Sequence, residues 1–147
     1  LQITDNLLKM ADISIDEAYK YSLENLESQV EIKTMEEILF GEMGMDASEL
    51  VEPQFPLWVC TTKNKLQGAA AMLCPSVLKK LEERIGGKIA ILPSSIHEFI
   101  ALGYNTEDEF ETLLSMVREV NATQVAVEER LTDSVYYVQN QQLKIAM

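Results

Sequence analysis

The chain has 147 residues, 47% of them hydrophobic, with 24 acids against 12 bases and a formal net charge of −12. One domain is the default at that length, and such a chain buries a core without disulfides or a structural metal. The charge argues against nucleic-acid binding, because neutralising phosphates takes a basic face, and equally against docking on anionic lipid.

The acids are unevenly placed. Residues 1–56 hold 13 acids and 3 bases, net −10, whereas residues 57–147 hold 11 acids and 9 bases, net −2. An acidic stretch can attract a basic partner, but the plainer reading is a solvated helical face that favours solubility. No apolar run approaches the roughly 18 residues that a membrane span needs. The first residues also lack the basic start and long apolar run of a signal peptide. A cytoplasmic protein is expected. The chain opens at Leu1, directly into helix-like sequence, which reads as a piece of a longer protein.

Thr4 caps a short helix carrying Leu7, Leu8 and Met10. Ser14 and Glu17 have the spacing of a capping box, in which each side chain takes the other residue's otherwise unpaired N–H. The helix behind them presents Ile15, Ala18, Tyr19, Leu23 and Leu26 and ends near residues 25–28. Val30 to Lys33 alternates as a short extended piece. Thr34 and Glu37 form a second box, opening a short helix through Ile38, Leu39 and Phe40. Residues 1–43 are thus an acidic helical region. Residues 44–56, with Gly44, Pro53 and Pro56, read as a loop or linker.

Leu57–Thr62 is rich in β-branched and aromatic residues and reads as a strand. Residues 63–68 supply turn chemistry through Asn64 and Gly68, and Ala69–Cys74 is expected to return as a second strand. With Thr62 opposite Ala69, Cys60 faces Ala71 and Cys74 faces Leu57. The two thiols then point to opposite sides of the sheet, in poor geometry for a disulfide. Free, buried thiols fit a reducing compartment.

Pro75 suits the first turn of a helix whose apolar stripe is Val77, Leu78, Leu81 and Ile85, with Gly86-Gly87 ending it. Ile89–Leu92 reads as a strand, Pro93-Ser94-Ser95 as a corner, and His97–Leu102 as the next strand. Thr106 and Glu109 give a third capping box. Phe110, Leu113, Leu114, Val117 and Val120 continue it as an amphipathic helix stopped at Asn121. Residues 124–132 show no clear period. Val135–Val138 and Leu143–Ile145 flank a polar run and close the chain as a hairpin. One of Tyr136 and Tyr137 is expected to face in and the other out. The fold class is therefore α+β, with residues 57–147 ordered β-β-α-β-β-α-β-β in a largely antiparallel sheet, helices on one face, and residues 1–43 packed against it.

Chemistry concentrates, weakly, at Ser94-Ser95-Ile96-His97-Glu98, which holds the only histidine in the chain. Ser95, His97 and Glu98 are the candidate catalytic residues. A serine nucleophile needs a base within hydrogen-bond reach and a third group to orient it. On a strand, His97 and Glu98 diverge while Ser95 and His97 share a face, so a Ser–His dyad is the arrangement to test. The plainer reading makes Ser94 and Ser95 turn formers and His97 part of the scaffold. One histidine and two diverging cysteines do not make a zinc site. There is no Walker A motif, no dinucleotide fingerprint and no EF-hand loop, so neither cofactor nor metal is expected. Acidic pairs such as Glu36-Glu37 and Glu128-Glu129 read as helix-surface charge.

Several segments together resemble an uncharacterised family of bacterial proteins from gut clostridial lineages. They are Ile3–Leu8 with Ile13–Ala18, Leu57–Leu73, Ile91–Glu98, Met116–Asn121, and Glu128-Glu129 through Tyr137. The family is a domain of unknown function, so the resemblance implies no reaction and no catalytic residue. It implies that this chain corresponds to the C-terminal half of a longer protein. It also marks the Leu-Pro-Ser-Ser-x-His-Glu and Val-Asn segments as recurring features. Ala126-Val127-Glu128 stands where the family pattern leads one to expect a proline before the glutamate. Three functions follow as expectations: a non-enzymatic binding or protein-interaction module, whose partner is another protein or the N-terminal half; a small-molecule hydrolase using His97 with Ser95; or a ligand-sensing regulatory domain.

Overall fold

A computed structural model describes residues 2–41, 44 and 56–147. The proposed linker at 44–56, Pro53 included, therefore lies almost wholly outside the described residues. The elements are α1 (Asp5–Ala11), α2 (Ile15–Glu27), β1 (Val30–Thr34), α3 (Met35–Gly41), β2 (Trp58–Thr62), a 3-10 helix (Gly68–Leu73), α4 (Pro75–Ile85), β3 (Lys88–Leu92), β4 (Phe99–Tyr104), α5 (Glu109–Thr123), a second short 3-10 turn (Val127–Glu129), β5 (Tyr136–Gln139) and β6 (Gln142–Ile145). The six strands form one sheet in the order β1-β2-β4-β3-β5-β6. Every neighbouring pair is antiparallel.

The local signals in the first forty residues act as read. Thr4 accepts the Leu7 N–H at 3.4 Å. Both capping boxes close in both directions, Ser14 with Glu17 and Thr34 with Glu37. At the third box only one half forms. The Glu109 carboxylate accepts the N–H groups of Asn105 and Thr106 at 2.9 and 3.1 Å, and the helix starts at Glu109 itself.

The strand expected at His97–Leu102 runs instead from Phe99 to Tyr104, leaving His97 and Glu98 in the corner, and two further expected elements are corrected. Ala69–Cys74 is not a strand: Gly68–Leu73 winds as a 3-10 helix, and β1 supplies the antiparallel partner of β2 instead, pairing Val30 with Thr62 and Thr34 with Trp58. Three consecutive alanines have little strand preference, and tight winding lets them nest against the sheet. Ala69 and Ala71 are buried accordingly. Nor does α5 stop at Asn121, whose side chain is buried and bonded to a later loop.

The helices lie on both faces of the sheet, not on one. Side chains alternate along a strand. Ile89 and Ile91 of β3, with Phe99 and Ala101 of β4, meet Val77, Leu78 and Leu81 of α4, with Leu23 and Leu26 of α2 packed alongside. Ala90, Leu92 and Leu102 face the other way, onto Phe110, Leu113 and Val117 of α5. The sequence carries this arrangement in its uninterrupted apolar run at 89–92, since a strand covered on both sides does not alternate. Tyr136 and Tyr137 do project to opposite faces, but both are half-buried, because both faces are covered. The Tyr137 ring stacks on Phe110 with centroids 6.2 Å apart.

Cys60 and Cys74 are free and buried. They belong to the same apolar cluster, so the opposite-face argument fails once 69–74 is not a strand. Burial pushes the Cys60 thiol up to about 12, against a smaller opposing pull from Arg84. Cys74 is raised as well, by burial and then by Glu27.

Candidate functional site

The corner at 93–97 and the turn at 63–68 come together over the end of β2. The contact is close because Gly68 has no side chain. A Cβ there would stand 2.6 Å from the His97 carbonyl oxygen and 2.7 Å from Thr61 Cα and Thr62 N. The His97 carbonyl accepts the Gly68 N–H at 2.9 Å and the Thr61 hydroxyl at 2.9 Å. Behind the corner, the Ile96 N–H donates to the Glu129 carbonyl at 2.9 Å and the Leu131 N–H to the Ser94 carbonyl at 3.0 Å. Three stretches distant in sequence are thereby joined.

The imidazole of His97 sits at the junction. Its Nδ1 accepts the Gln67 backbone N–H at 3.1 Å. Its Nε2 lies 3.2 Å from a carboxylate oxygen of Glu129. An amide can only donate and a carboxylate can only accept, so these partners assign the neutral tautomer with its proton on Nε2. Both ring nitrogens are engaged.

The candidate catalytic residues are therefore not arranged as a dyad. The Ser95 hydroxyl oxygen accepts the N–H of His97's own backbone at 3.0 Å. Glu98 is exposed and lines a separate cleft with Glu31, Lys33 and Lys65. Three participants were not read as part of a site from the sequence: Gln67, Glu129, and Gly68, which was read only as a turn residue. Glu129, read as surface charge, is the carboxylate that meets the ring. Nothing local to Glu128-Glu129 signals this, because the contact spans 32 residues. Among the described residues, no group of three or more His, Cys, Asp or Glu side chains is placed to hold a metal ion.

One edge of the ring borders an open cleft of about 560 Å³. Tyr19, Ser22, Leu23 and Leu26 form its α2 wall, with Gln29 just beyond the helix; Asn64, Leu66 and Gln67 come from the turn, and Ala70 and Leu73 come from the 3-10 helix. Among the described residues, no lysine, arginine, aspartate or glutamate lines it. Tyr19 and Ser22 also border a shallower depression between α1 and α2, so the two run together. Around them Ile3, Met10, Ile15, Tyr19 and Tyr21 are each more than half exposed. No helix among the described residues is long and apolar enough to cross a membrane.

Fold and site together define an α+β protein with a six-stranded antiparallel sheet covered on both faces and a neutral cleft beside a bonded histidine. Over residues 1–140 the chain matches the model of a family of unknown function (DUF5688), and it belongs to that family. No curated protein and no solved structure matches it.

Proposed function

We propose that this chain is a non-enzymatic binding module, and that the cleft between α2, the 63–67 turn and the 3-10 helix receives its ligand. The observation that carries this reading is the division of labour around His97. Both ring nitrogens and the Ser95 hydroxyl are engaged within the scaffold, while the adjacent cleft is open and uncharged. Clefts that bind small molecules or partner side chains are mostly apolar, with a few polar groups to fix orientation. The ligand class that fits is uncharged and partly apolar, because a charge seated there finds no countercharge among the described lining residues. The exposed apolar residues of α1 and α2 extend the same surface, as expected where a protein partner docks.

A cytoplasmic setting is part of the proposal and rests on the two free, buried thiols. So is a place as half of a longer protein, with the other half as a candidate partner. The hydrolase reading needs the ring to leave the Gln67 amide and the Ser95 hydroxyl to leave the His97 backbone before either can act on a substrate.

The test is a shift-mapping titration of isotope-labelled protein against a panel of small uncharged amphipathic compounds and short apolar peptides. Saturable changes centred on Tyr19, Leu23, Leu66 and Leu73, abolished in Leu73→Glu, are expected. Binding that ignores this substitution, or no saturable binding across the panel, overturns the assignment of the cleft. Ester or amide turnover that disappears in His97→Ala overturns the non-enzymatic part.

A further inference from the structure

We propose that the Leu66–Gln67 peptide plane has two positions, selected by whether His97 is neutral or protonated, so that the wall of the cleft changes with pH. This rests on the reading of that cleft as the binding site, because Leu66 and Gln67 both line it.

The first observation is the sense of the bond. In the structure the peptide turns its N–H toward Nδ1 of a ring whose other nitrogen faces Glu129. Acid adds a second proton to a neutral imidazole. That proton goes to Nδ1, turning the acceptor into a donor aimed at another donor. The bond to Glu129 survives the change, because Nε2 donates in both forms and the pair gains opposite charges. The ring therefore keeps its hold on the 127–129 turn and loses its hold on Gln67.

The second observation is strain at the point of release. Gln67 lies in the left-handed region, with φ 54° and ψ 26°, a conformation that costs a residue with a side chain roughly 1 kcal/mol or more. Turning over the peptide plane rotates ψ of Leu66 and φ of Gln67. It takes Gln67 out of that region and presents the Leu66 carbonyl to the protonated Nδ1.

The third observation is that the Leu66 carbonyl is free to go. Its partner is the Thr62 hydroxyl at 2.9 Å, and that same hydroxyl lies 2.6 Å from the Asn64 side-chain oxygen. A hydroxyl has one proton and cannot serve both. With the plane reversed, Thr62 donates to Asn64 alone, and the Gln67 N–H gives up the ring nitrogen that the Leu66 carbonyl now meets. The flanking anchors do not move: the Leu66 N–H stays on Asn64 and Thr62, and the Gly68 N–H stays on the His97 carbonyl.

The other charged and titratable groups around the ring do not substitute for the Gln67 amide: on the 127–130 turn Glu128 and Arg130 are exposed, and Arg130 donates to the Val125 carbonyl. Tyr19 stands on the α2 side of the cleft. Lys63 and Lys65 are exposed on the turn, Lys65 bordering the neighbouring cleft with Glu98. β2 and the 3-10 helix contribute no charged side chain. A ligand that favours one position of the plane would bind with a pH dependence set by His97.

The experiment follows the ligand-free protein by NMR from about pH 8 to about pH 5. Ring nitrogen shifts report protonation of His97, and the Gln67 amide and Cα with the Leu66 carbonyl report the plane. One common midpoint is expected, with the Gln67 Cα shift leaving its left-handed value on the acid side. In Gln67→Gly the left-handed cost disappears, and the midpoint should fall by roughly half a pH unit or more. A ring that titrates while Gln67 and Leu66 stay still, a ring that does not titrate over this range, or an unmoved midpoint in Gln67→Gly each overturns the proposal. No ligand is involved, so these results stand apart from the titration that tests the cleft.

Discussion

The carbonyl oxygen of His97 lies 2.6 Å from the point where Gly68 would carry a Cβ, and the same carbonyl accepts the Gly68 N–H. The three nearest atoms to that point are all backbone, from Thr61, Thr62 and His97, so none of them swings aside. Gly68→Ala is expected to force the turn off the end of β2 and to cost about 2–3 kcal/mol, the range for overpacking a tight site. Urea unfolding measures this. A loss of a few tenths of a kcal/mol would mean that the corner and the turn are not held this closely in solution.

Cys60 supplies a prediction in pH. Burial holds its thiol neutral up to about 12, above the ordinary 9.0. A group whose proton is held more tightly in the folded state contributes fully at pH values below its unfolded pKa. Its contribution is lost as pH rises from about 9 toward about 12. Stability should therefore fall on the alkaline side. Cys60→Ala should be less stable near neutrality, by about 1–2 kcal/mol for the cavity, yet should decline less steeply above pH 9. Denaturant midpoints across alkaline pH decide it, and parallel slopes would contradict the assignment. Thiol reagents should label neither cysteine at neutral pH until the chain unfolds, since the thiolate is the reactive form.

Asn121 ties α5 to the loop ahead of β5. Its side-chain N–H groups reach the Thr132 carbonyl and the Asp133 carboxylate, and it is buried. Removing those donors in Asn121→Ala should cost about 1–3 kcal/mol. Asn121→Asp should cost more at neutral pH, about 3 kcal/mol or above, because it buries a second carboxylate against the first. The new carboxyl is held neutral in the folded state, so the deficit should shrink as pH falls and grow as it rises. Chemical denaturation at neutral and mildly acid pH reads the difference. An Asn121→Asp variant with no pH-dependent deficit would rule out the contact with Asp133.

The β5–β6 hairpin closes through Asn140 and Gln141, at φ 52° and 58°, between the paired residues Gln139 and Gln142. Two successive left-handed residues define the tight turn that prefers Asn-Gly. Gln141→Gly removes side-chain strain, partly offset by the greater freedom of glycine in the unfolded chain. A gain of about 0.5–1 kcal/mol is expected, or roughly 2–4 °C in Tm. Thermal unfolding measures it, and a fall in Tm would mean that the turn adopts another geometry.

Much of the fold is written locally. Ser14 with Glu17 and Thr34 with Glu37 each complete a helix start within four residues, and both boxes form as spaced. Pro75 opens α4, Gly86-Gly87 follows its end, and the closing hairpin spans the residues expected. The errors fall where a distant partner decides. Ala69–Cys74 has the length of a strand, but β1 already occupies the edge of β2, so the alanines wind over the sheet instead. Asn121 looks like a helix stop by type, yet its amide is drawn inward by Thr132 and Asp133.

At the candidate site the same division holds. The corner at 93–95 and the single imidazole could be picked out by residue type, but β4 begins only at Phe99, so strand alternation does not set the directions of His97 and Glu98. Gln67, 30 residues upstream of His97, and Glu129, 32 downstream, could not.

Sequence alone determined the helix starts, most strand spans, the α+β antiparallel class, the acidic balance and the free thiols, because capping, periodicity and charge act over a few residues. Tertiary structure alone decided that both sheet faces are covered, that β1 joins the sheet, and that His97 is bonded at both nitrogens. Those outcomes depend on which surfaces meet, and contacts across thirty residues of chain leave no local pattern behind.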